Sequence, residues 1–147
     1  MKKLINEPKK IIREMLEGMA AAHPGVRVHF EPDFMYRADA PVKDKVALIS
    51  GGGSGHEPLH CGYVGVGMLD AAAPGQVFTS PTPEQIFQGS QTVDSGNGIL
   101  LIVKNYSGDV MGFDLARGLL EDDGCEVESV LIADDVSIDD RSGRRGV

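Results

Sequence analysis

The sequence has few cysteines, no long apolar run and a shortage of basic residues, and each shortage excludes a class of protein. Its two cysteines, Cys61 and Cys125, do not form a C-x-x-C pattern. A secreted domain held together by disulfides needs more cysteines than this, and a C-x-x-C redox or metal motif is absent as well. We therefore interpret both residues as buried or idle thiols without a functional role.

Apolar runs are missing where targeting or membrane segments would need them. The first seven residues include Lys2 and Lys3 and then turn polar, which is not the pattern of a signal peptide. No apolar run elsewhere is long enough to span a bilayer. These features predict a cytoplasmic protein with no membrane partner.

Basic residues are outnumbered, with 14 Lys and Arg against 22 Asp and Glu and a formal net charge of -8. A negative charge of this size repels nucleic acid, so we expect no nucleic-acid partner. Arginines cluster only near the end of the chain, at Arg141, Arg144 and Arg145. We interpret that cluster as a solvated loop and not as a phosphate site.

What the sequence does contain is a set of strand patterns typical of an α/β domain. Residues 45–50, 98–104 and 127–133 are mostly apolar, which suits strands covered on both faces of a parallel sheet. Residues 26–30 alternate apolar and polar side chains, as an edge or half-buried strand does. With 147 residues, the chain has the size of one domain.

Helical patterns alternate with these strands. Residues 7–22 form an amphipathic pattern that ends at His23 and Pro24, and another helix spans about residues 109–123. A third begins with Thr82 as N-cap and a proline in the first helical position. The predicted fold is a largely parallel sheet, with mixed pairing allowed, and helices on both faces.

Ligands of such sheets bind beyond the carboxyl ends of the strands, because loops and helix N-termini meet there. Three loops lie at these ends: "GGGSGHEP", "NYSGD" and "DDVSIDD". The first lacks the G-K-[ST] ending of a Walker A loop, and it carries His56 where the dinucleotide fingerprint has its third glycine. Two interpretations remain: backbone amides leading to a helix N-terminus and holding a small polar ligand, or a tight turn without a ligand.

The same loop contains His-Glu-Pro-Leu-His, which matches the H-E-x-x-H zinc pattern. A zinc hydrolase would need His56 and His60 on one face of a helix, with Glu57 polarising a bound water. Pro58 favours the first turn of a helix, and the preceding glycines deny His56 a helical turn behind it. A third ligand is also missing, so zinc stays a remote alternative and His60 is interpreted as a packed or hydrogen-bonded histidine near the site.

The second loop contributes Lys104 and Asp109. A lysine at the end of an apolar strand requires a partner or a polar ligand, because burying its ammonium group is costly. Asp109 is explained either as an N-cap or first-turn acid that complements the helix dipole, or as such an acid that also takes part in catalysis. Together with His56 these residues would surround one small pocket suited to removing a proton from a hydroxyl group.

Four segments carry a resemblance to a known family: "RADAPVKDKVALISGGGSGHEPLHCGYVGVGML", "FTSPTP", "LLIVKNYSGD" and "GRRGV". Along essentially its whole length the chain resembles the dihydroxyacetone-binding K domain of dihydroxyacetone (glycerone) kinases. It looks most like the bacterial subunit that works with a phosphotransferase chain, although ATP-dependent relatives share these motifs. The resemblance implies an α/β fold and an enzyme of triose phosphorylation.

The resemblance also implies roles for individual residues. His56 would bind the substrate and act as acid or base on its reacting hydroxyl, and Asp109 would share the catalytic work. The triose would be held by the glycine loop, the lysine and the aspartate, which are Gly53, Ser54, Gly55, His56, Lys104 and Asp109.

Cofactors and partners follow from the resemblance as well. Phosphate would pass from a phosphocarrier subunit to ADP on a nucleotide-binding subunit, and from there to dihydroxyacetone. ADP or ATP and its magnesium would therefore belong to the partner, with no metal held by this chain. The intact protein would be a homodimer.

Members of this family are much longer, so the resemblance makes residues 1–147 the N-terminal part of the domain. A second histidine, which binds the substrate carbonyl covalently, lies in the half that this sequence lacks, and we expect the chain alone to be inactive. A triose-binding sensor without catalysis is the alternative function. Retention of His56, Lys104 and Asp109 together favours the kinase, since a sensor needs contacts but no proton acceptor.

Overall fold

The structure, a computed structural model of the chain, describes residues 2–137, 139 and 143–146. Three helices and six strands form its framework. A single turn of 3-10 helix over Pro8–Lys10 precedes the first of them. In chain order they are α1 (Ile11–Ala22), β1 (Val26–His29), β2 (Phe34–Arg37), β3 (Ala47–Ser54), β4 (Ala71–Val77), α2 (Pro83–Val93), β5 (Ile99–Lys104), α3 (Ser107–Asp122) and β6 (Val127–Ile132).

All six strands join one mixed sheet in the order β1-β2-β4-β3-β5-β6. The pairs β4–β3, β3–β5 and β5–β6 are parallel, whereas β2 runs antiparallel to both β1 and β4. This arrangement confirms the predicted α/β fold with a largely parallel sheet. The four parallel strands bring their carboxyl ends to one edge.

Helices cover both faces of the sheet. On one face, α2 and α3 contribute Ile86, Phe113 and Leu120 to a core that also contains alternate residues of β3 and β5. On the other face, α1 packs through Ile12 and Leu16, which lie four residues apart on one side of the helix. The start of α2 is fixed as predicted, because Thr82 and Gln85 form a reciprocal capping box.

The strands differ from the sequence analysis in two respects. The sequence patterns did not reveal β2 or β4, although β4 lies in the middle of the sheet. Residues 127–133 were expected to be covered on both faces, but β6 is an edge strand on which Val130 and Leu131 are exposed.

Within the described residues, no helix is long and apolar enough to cross a membrane.

Charged residues are buried at the amino end of the parallel strands. Asp70, just before β4, is 2% exposed. Its carboxylate pairs with Arg37 at 3.0 Å, forms an ion pair with Lys45 and accepts the amide of Leu48 at 2.8 Å. Arg37 is also held by Asp39, at 2.9 and 2.7 Å. The network ties β2, β3 and β4 together at the end opposite the predicted site.

Candidate functional site

The glycines predicted to form a loop lie in a strand. β3 continues through Gly51, Gly52 and Gly53 to Ser54; the three glycines pair in register with β4, and the register shifts at Ser54, which pairs with Val77. Glycine is needed where the strands approach closely, since a Cβ at Gly51 would lie 2.6 Å from the carbonyl oxygen of Ala73. The expectation of a free glycine loop that leads to a helix N-terminus is therefore wrong.

A turn over residues 55–60 follows β3 and carries His56. Gly55 has a positive φ of 111°, which glycine adopts without strain. Its amide donates to both carboxylate oxygens of Glu57, at 3.1 and 3.0 Å. Because residues 56–60 are not helical, the arrangement that the zinc alternative required is not present. No group of three or more His, Cys, Asp and Glu side chains suited to a metal ion occurs in the described part of the chain.

A cavity of about 210 Å³ opens at the carboxyl ends of β3 and β5, and we call it the carboxyl-end cavity. It brings His56, Lys104 and Asp109 together, as the sequence predicted. Its lining consists of Gly53, His56, Phe78, Ser80, Lys104, Tyr106 and Asp109.

Lys104 and Asp109 form the charged part of this cavity. Lys104 Nζ lies 3.9 Å from Asp109 Oδ2, and both side chains are only 3% exposed. Burial lowers the pKa of the Lys104 ammonium group, and the nearby carboxylate of Asp109 opposes that shift. The lysine is therefore a desolvated cation whose charge a polar ligand would stabilise.

Asp109 lies in the first turn of α3 but does not cap it. The N-cap residue is Tyr106, and no side-chain capping bond forms there. Asp109 Oδ1 is buried and has no hydrogen-bond partner among the residues that the structure describes. A buried carboxylate oxygen is normally paired, so this atom marks a position where a ligand hydroxyl would complete the hydrogen bonding.

Aromatic rings hold His56 at the mouth of the cavity. Its imidazole contacts the Phe78 ring edge-on, with centroids 5.5 Å apart, and the Tyr106 ring at 6.2 Å. The centroid of the Tyr106 ring also lies 5.2 Å from Lys104 Nζ, which is a cation–π distance. The imidazole is half-buried, so it is both held in place and reachable from the cavity.

Two of the predicted binding residues are not in the cavity lining. The hydroxyl of Ser54 is buried and donates to the carbonyl oxygen of Gly75 at 2.7 Å, which is a bond within the sheet. Gly55 lies under the Phe78 ring, where an added Cβ would be 2.8 Å from two ring carbons. Gly53 does line the cavity.

His60 is buried beside the site and outside the lining of the carboxyl-end cavity. Burial, assisted by the charge of Lys104 and by His56, lowers the pKa of His60 to about 4. It contributes to a neighbouring, mostly apolar cavity of about 290 Å³ on the α1 side of Gly52. This agrees with its interpretation as a packed histidine, and burial keeps the imidazole neutral near pH 7.

Sequence reasoning did not identify three residues of the lining: Phe78, Ser80 and Tyr106. Their segments, "FTSPTP" and "NYSGD", were noted for family resemblance and for their position after a strand, but no role followed for these side chains.

Of the arginine cluster, Arg141 lies outside the described residues. Arg145 Cζ lies 5.7 Å from the centroid of the Tyr106 ring, and its guanidinium group donates to the carbonyl oxygen of Asn105 at 3.2 Å, so the segment around Arg145 packs against the site.

Comparison with known proteins identifies the family. The Dak1 domain matches residues 17–147. The chain belongs to the Dak1 domain family. One Dak1 relative is the dihydroxyacetone-binding subunit of the PEP-dependent dihydroxyacetone kinase of Escherichia coli (strain K12). It is 55% identical over 150 residues, which cover 100% of this chain and 42% of the relative.

Solved structures agree with this assignment. The crystal structure of the dihydroxyacetone kinase of C. freundii matches with a TM-score of 0.93 and 37% identity, over 99% of this Dak1 chain and 28% of that protein. A dihydroxyacetone kinase operon co-activator matches with a TM-score of 0.81 and 36% identity, over 91% of this chain and 42% of the other. The chain thus spans less than half the length of these relatives.

Proposed function

We propose that this chain binds dihydroxyacetone in the carboxyl-end cavity and holds it for phosphoryl transfer, which yields dihydroxyacetone phosphate. The observation that carries the proposal is the unpaired, buried Asp109 Oδ1 beside Lys104 and His56. A triose supplies what this cavity lacks, because it offers hydroxyl donors to the carboxylate and oxygen acceptors to the ammonium group. Membership of the Dak1 domain family supports the choice of ligand.

His56 would act as the acid or base for the reacting hydroxyl. Its imidazole is held between Phe78 and Tyr106 at the mouth of the cavity, where a bound hydroxyl could reach it. Asp109 would accept a second hydroxyl and share the proton handling. Lys104 would stabilise an oxygen of the substrate. Phosphoryl transfer needs mainly positioning and charge stabilisation, which this arrangement provides.

The phosphoryl donor would come from another subunit. We propose that ADP or ATP and its magnesium are held by a nucleotide-binding partner, which a phosphocarrier subunit recharges, and that the intact protein is a homodimer. The half-buried His56 and the 71% exposed Phe78 are consistent with this plan, because they leave the mouth of the cavity open to an approaching partner.

Binding can be tested on the 147-residue chain by NMR titration with dihydroxyacetone. We expect weak, millimolar affinity that is reduced at least tenfold by Asp109→Asn and by Lys104→Ala. Asp114→Asn, an exposed carboxylate on the same helix, is the matched control and should bind as the wild type does. Equal affinity in all four proteins would refute the assignment of the site.

A triose-binding sensor is the second candidate function, and the likeness to an operon co-activator favours it. Fusing residues 1–147 to the downstream part of the Escherichia coli relative separates the two functions. With ADP-loaded nucleotide subunit and phosphocarrier, a kinase phosphorylates dihydroxyacetone, and His56→Ala lowers the rate about a hundredfold or more while folding is retained. A sensor binds the triose without turnover, so binding alone would contradict the kinase.

A further inference from the structure

The side chain of Lys104 runs through a slot that two glycines, distant in sequence, keep open. The part of the side chain nearest the backbone lies beside Gly146, where an added Cβ would be 2.6 Å from Lys104 Cβ and 2.8 Å from Lys104 Cγ. Its far end lies beside Gly52, where a Cβ would be 2.6 Å from both Cε and Nζ. Carbon atoms that are not bonded do not approach this closely, so neither position accepts a side chain without a displacement.

Gly146 is fixed by the hydrogen bonds of its neighbours to the end of β5. Asn105 Nδ2 donates to the carbonyl oxygen of Arg144 at 2.6 Å. Arg145 donates through Nη1 to the carbonyl oxygen of Asn105 at 3.2 Å, and its own carbonyl oxygen accepts the amide of Asp135 at 3.0 Å. Gly146 is buried as a result. The segment 144–146 is therefore tied to the residue that follows the site lysine.

We propose that Gly52 and Gly146 are positioning residues that determine the path of the Lys104 side chain from β5 into the carboxyl-end cavity. Together they place its ammonium group beside Asp109, where an oxygen of the bound triose would meet it. The identity of that ligand rests on the proposed function. The position of the lysine does not, and it can be measured without any ligand.

The two glycines differ in what an added methyl group would displace. At Gly52 the clash is mainly with the movable end of the lysine, although His60 Cε1 would also lie at 3.0 Å. At Gly146 the clash includes Lys104 Cα, at 2.9 Å, which cannot move without the backbone. Gly52→Ala should therefore shift the ammonium group at little cost in stability, whereas Gly146→Ala should also destabilise the end of β5.

The first experiment follows the Lys104 Cε resonance in lysine-labelled protein, assigned through Lys104→Arg. In the wild type this resonance should titrate below the range of ordinary lysines. In Gly52→Ala and in Gly146→Ala it should move toward the signals of the exposed lysines. Gly25→Ala is the matched control, because a Cβ at this exposed glycine meets no heavy atom within 4 Å, and it should leave the resonance unchanged.

The second experiment measures dihydroxyacetone affinity with and without the lysine. Gly52→Ala should weaken binding at least tenfold in the wild type, but cause no further loss in a Lys104→Ala background, because no ammonium group is left to displace. An unchanged Lys104 resonance in Gly52→Ala, or an equal loss of affinity in both backgrounds, would overturn the proposal. If Gly146→Ala does not fold, Gly52→Ala decides the question by itself. Failure of the wild type to bind dihydroxyacetone would refute the proposed function. The resonance comparison would still test whether the two glycines determine the position of the Lys104 side chain.

Discussion

Both ends of the parallel sheet bury a carboxylate, but they differ in how completely it is paired. At the amino end, Asp70 has partners on both oxygens, namely Arg37 on one and Lys45 with the amide of Leu48 on the other. At the carboxyl end, Asp109 Oδ1 has no partner among the described residues.

The difference indicates different tasks. A buried polar network with every atom satisfied fixes structure, whereas an incomplete one leaves free energy to be gained when a ligand completes it. Lys104 fits this view, since its Nζ lies 3.9 Å from Asp109 Oδ2, beyond the length of an ordinary hydrogen bond. The amino end thus holds the fold together, and the carboxyl end is built to receive a polar ligand.

The strongest test of this contrast is to remove the charge at the amino end. Asp70→Asn should lower the free energy of unfolding by about 3–5 kcal/mol, because it leaves Arg37 and Lys45 without their buried partner. Urea unfolding followed by circular dichroism measures the loss. Asp39→Asn is the control, since Asp39 is 59% exposed and also pairs with Arg37, and it should have a much smaller effect. Similar losses for both variants would mean that burial of Asp70 does not matter.

A second test uses His60, the buried neutral histidine beside the site. Its pKa is about 4 in the folded chain and about 6.5 when unfolded, so the unfolded state takes up the proton first as the pH falls. This contribution to stability is complete above pH 6.5 and is lost toward pH 4. At pH 5 the loss should be about 2 kcal/mol.

Urea unfolding of wild type and His60→Gln at pH 7 and pH 5 isolates this contribution. The difference between the two pH values should be smaller in His60→Gln by about 2 kcal/mol. His23→Gln, at an exposed histidine after α1, should behave as the wild type does. An equal pH dependence in wild type and His60→Gln would show that His60 is not held neutral.

The third and smallest effect on stability concerns Asp109. Asp109→Asn should change the free energy of unfolding by only about 1 kcal/mol, because one oxygen has no hydrogen-bond partner among the described residues and the other lies beyond hydrogen-bond distance from Lys104. The same urea experiment as for Asp70→Asn gives a direct comparison of one substitution at the two ends. A loss as large as that at Asp70 would make Asp109 a structural residue.

The strands and helices that the sequence predicted correctly carry local signals. The start of α2 follows from Thr82, Pro83 and Gln85. Thr82 and Gln85 supply the hydrogen bonds of the capping box and Pro83 suits the first helical position, and neither effect depends on the rest of the fold. The strand β5 follows from its apolar run. β4 has no such signal, because it is built from Ala71 to Ala73 and then Pro74, residues that favour no strand by themselves. Its place in the sheet comes from tertiary pairing with β3 and β2.

The site was predictable to the extent that strand ends determine it. Lys104 ends β5, and His56 and Asp109 lie just after the neighbouring parallel strands β3 and β5, so the carboxyl-end rule brings the three together. Ser54 was misplaced because the glycines before it were interpreted as a loop; in a strand, alternation turns its hydroxyl away from the cavity. Phe78 was missed because it follows β4, a strand that the sequence patterns did not reveal. Gly146 was missed because it is distant from Lys104 in sequence, and only the folded structure brings the two residues together.

The most direct test of the contrast between the two ends is to map where dihydroxyacetone perturbs the backbone amide resonances of the chain. We predict saturable shifts at Gly53, His56, Lys104 and Asp109, because the ligand completes the hydrogen bonding at the carboxyl end, and no shifts at Arg37 or Asp70. Asp109→Asn should abolish the shifts without altering the fold. Shifts centred on Asp70, or no saturable shifts at high millimolar dihydroxyacetone, would contradict a triose site at the carboxyl end of the sheet.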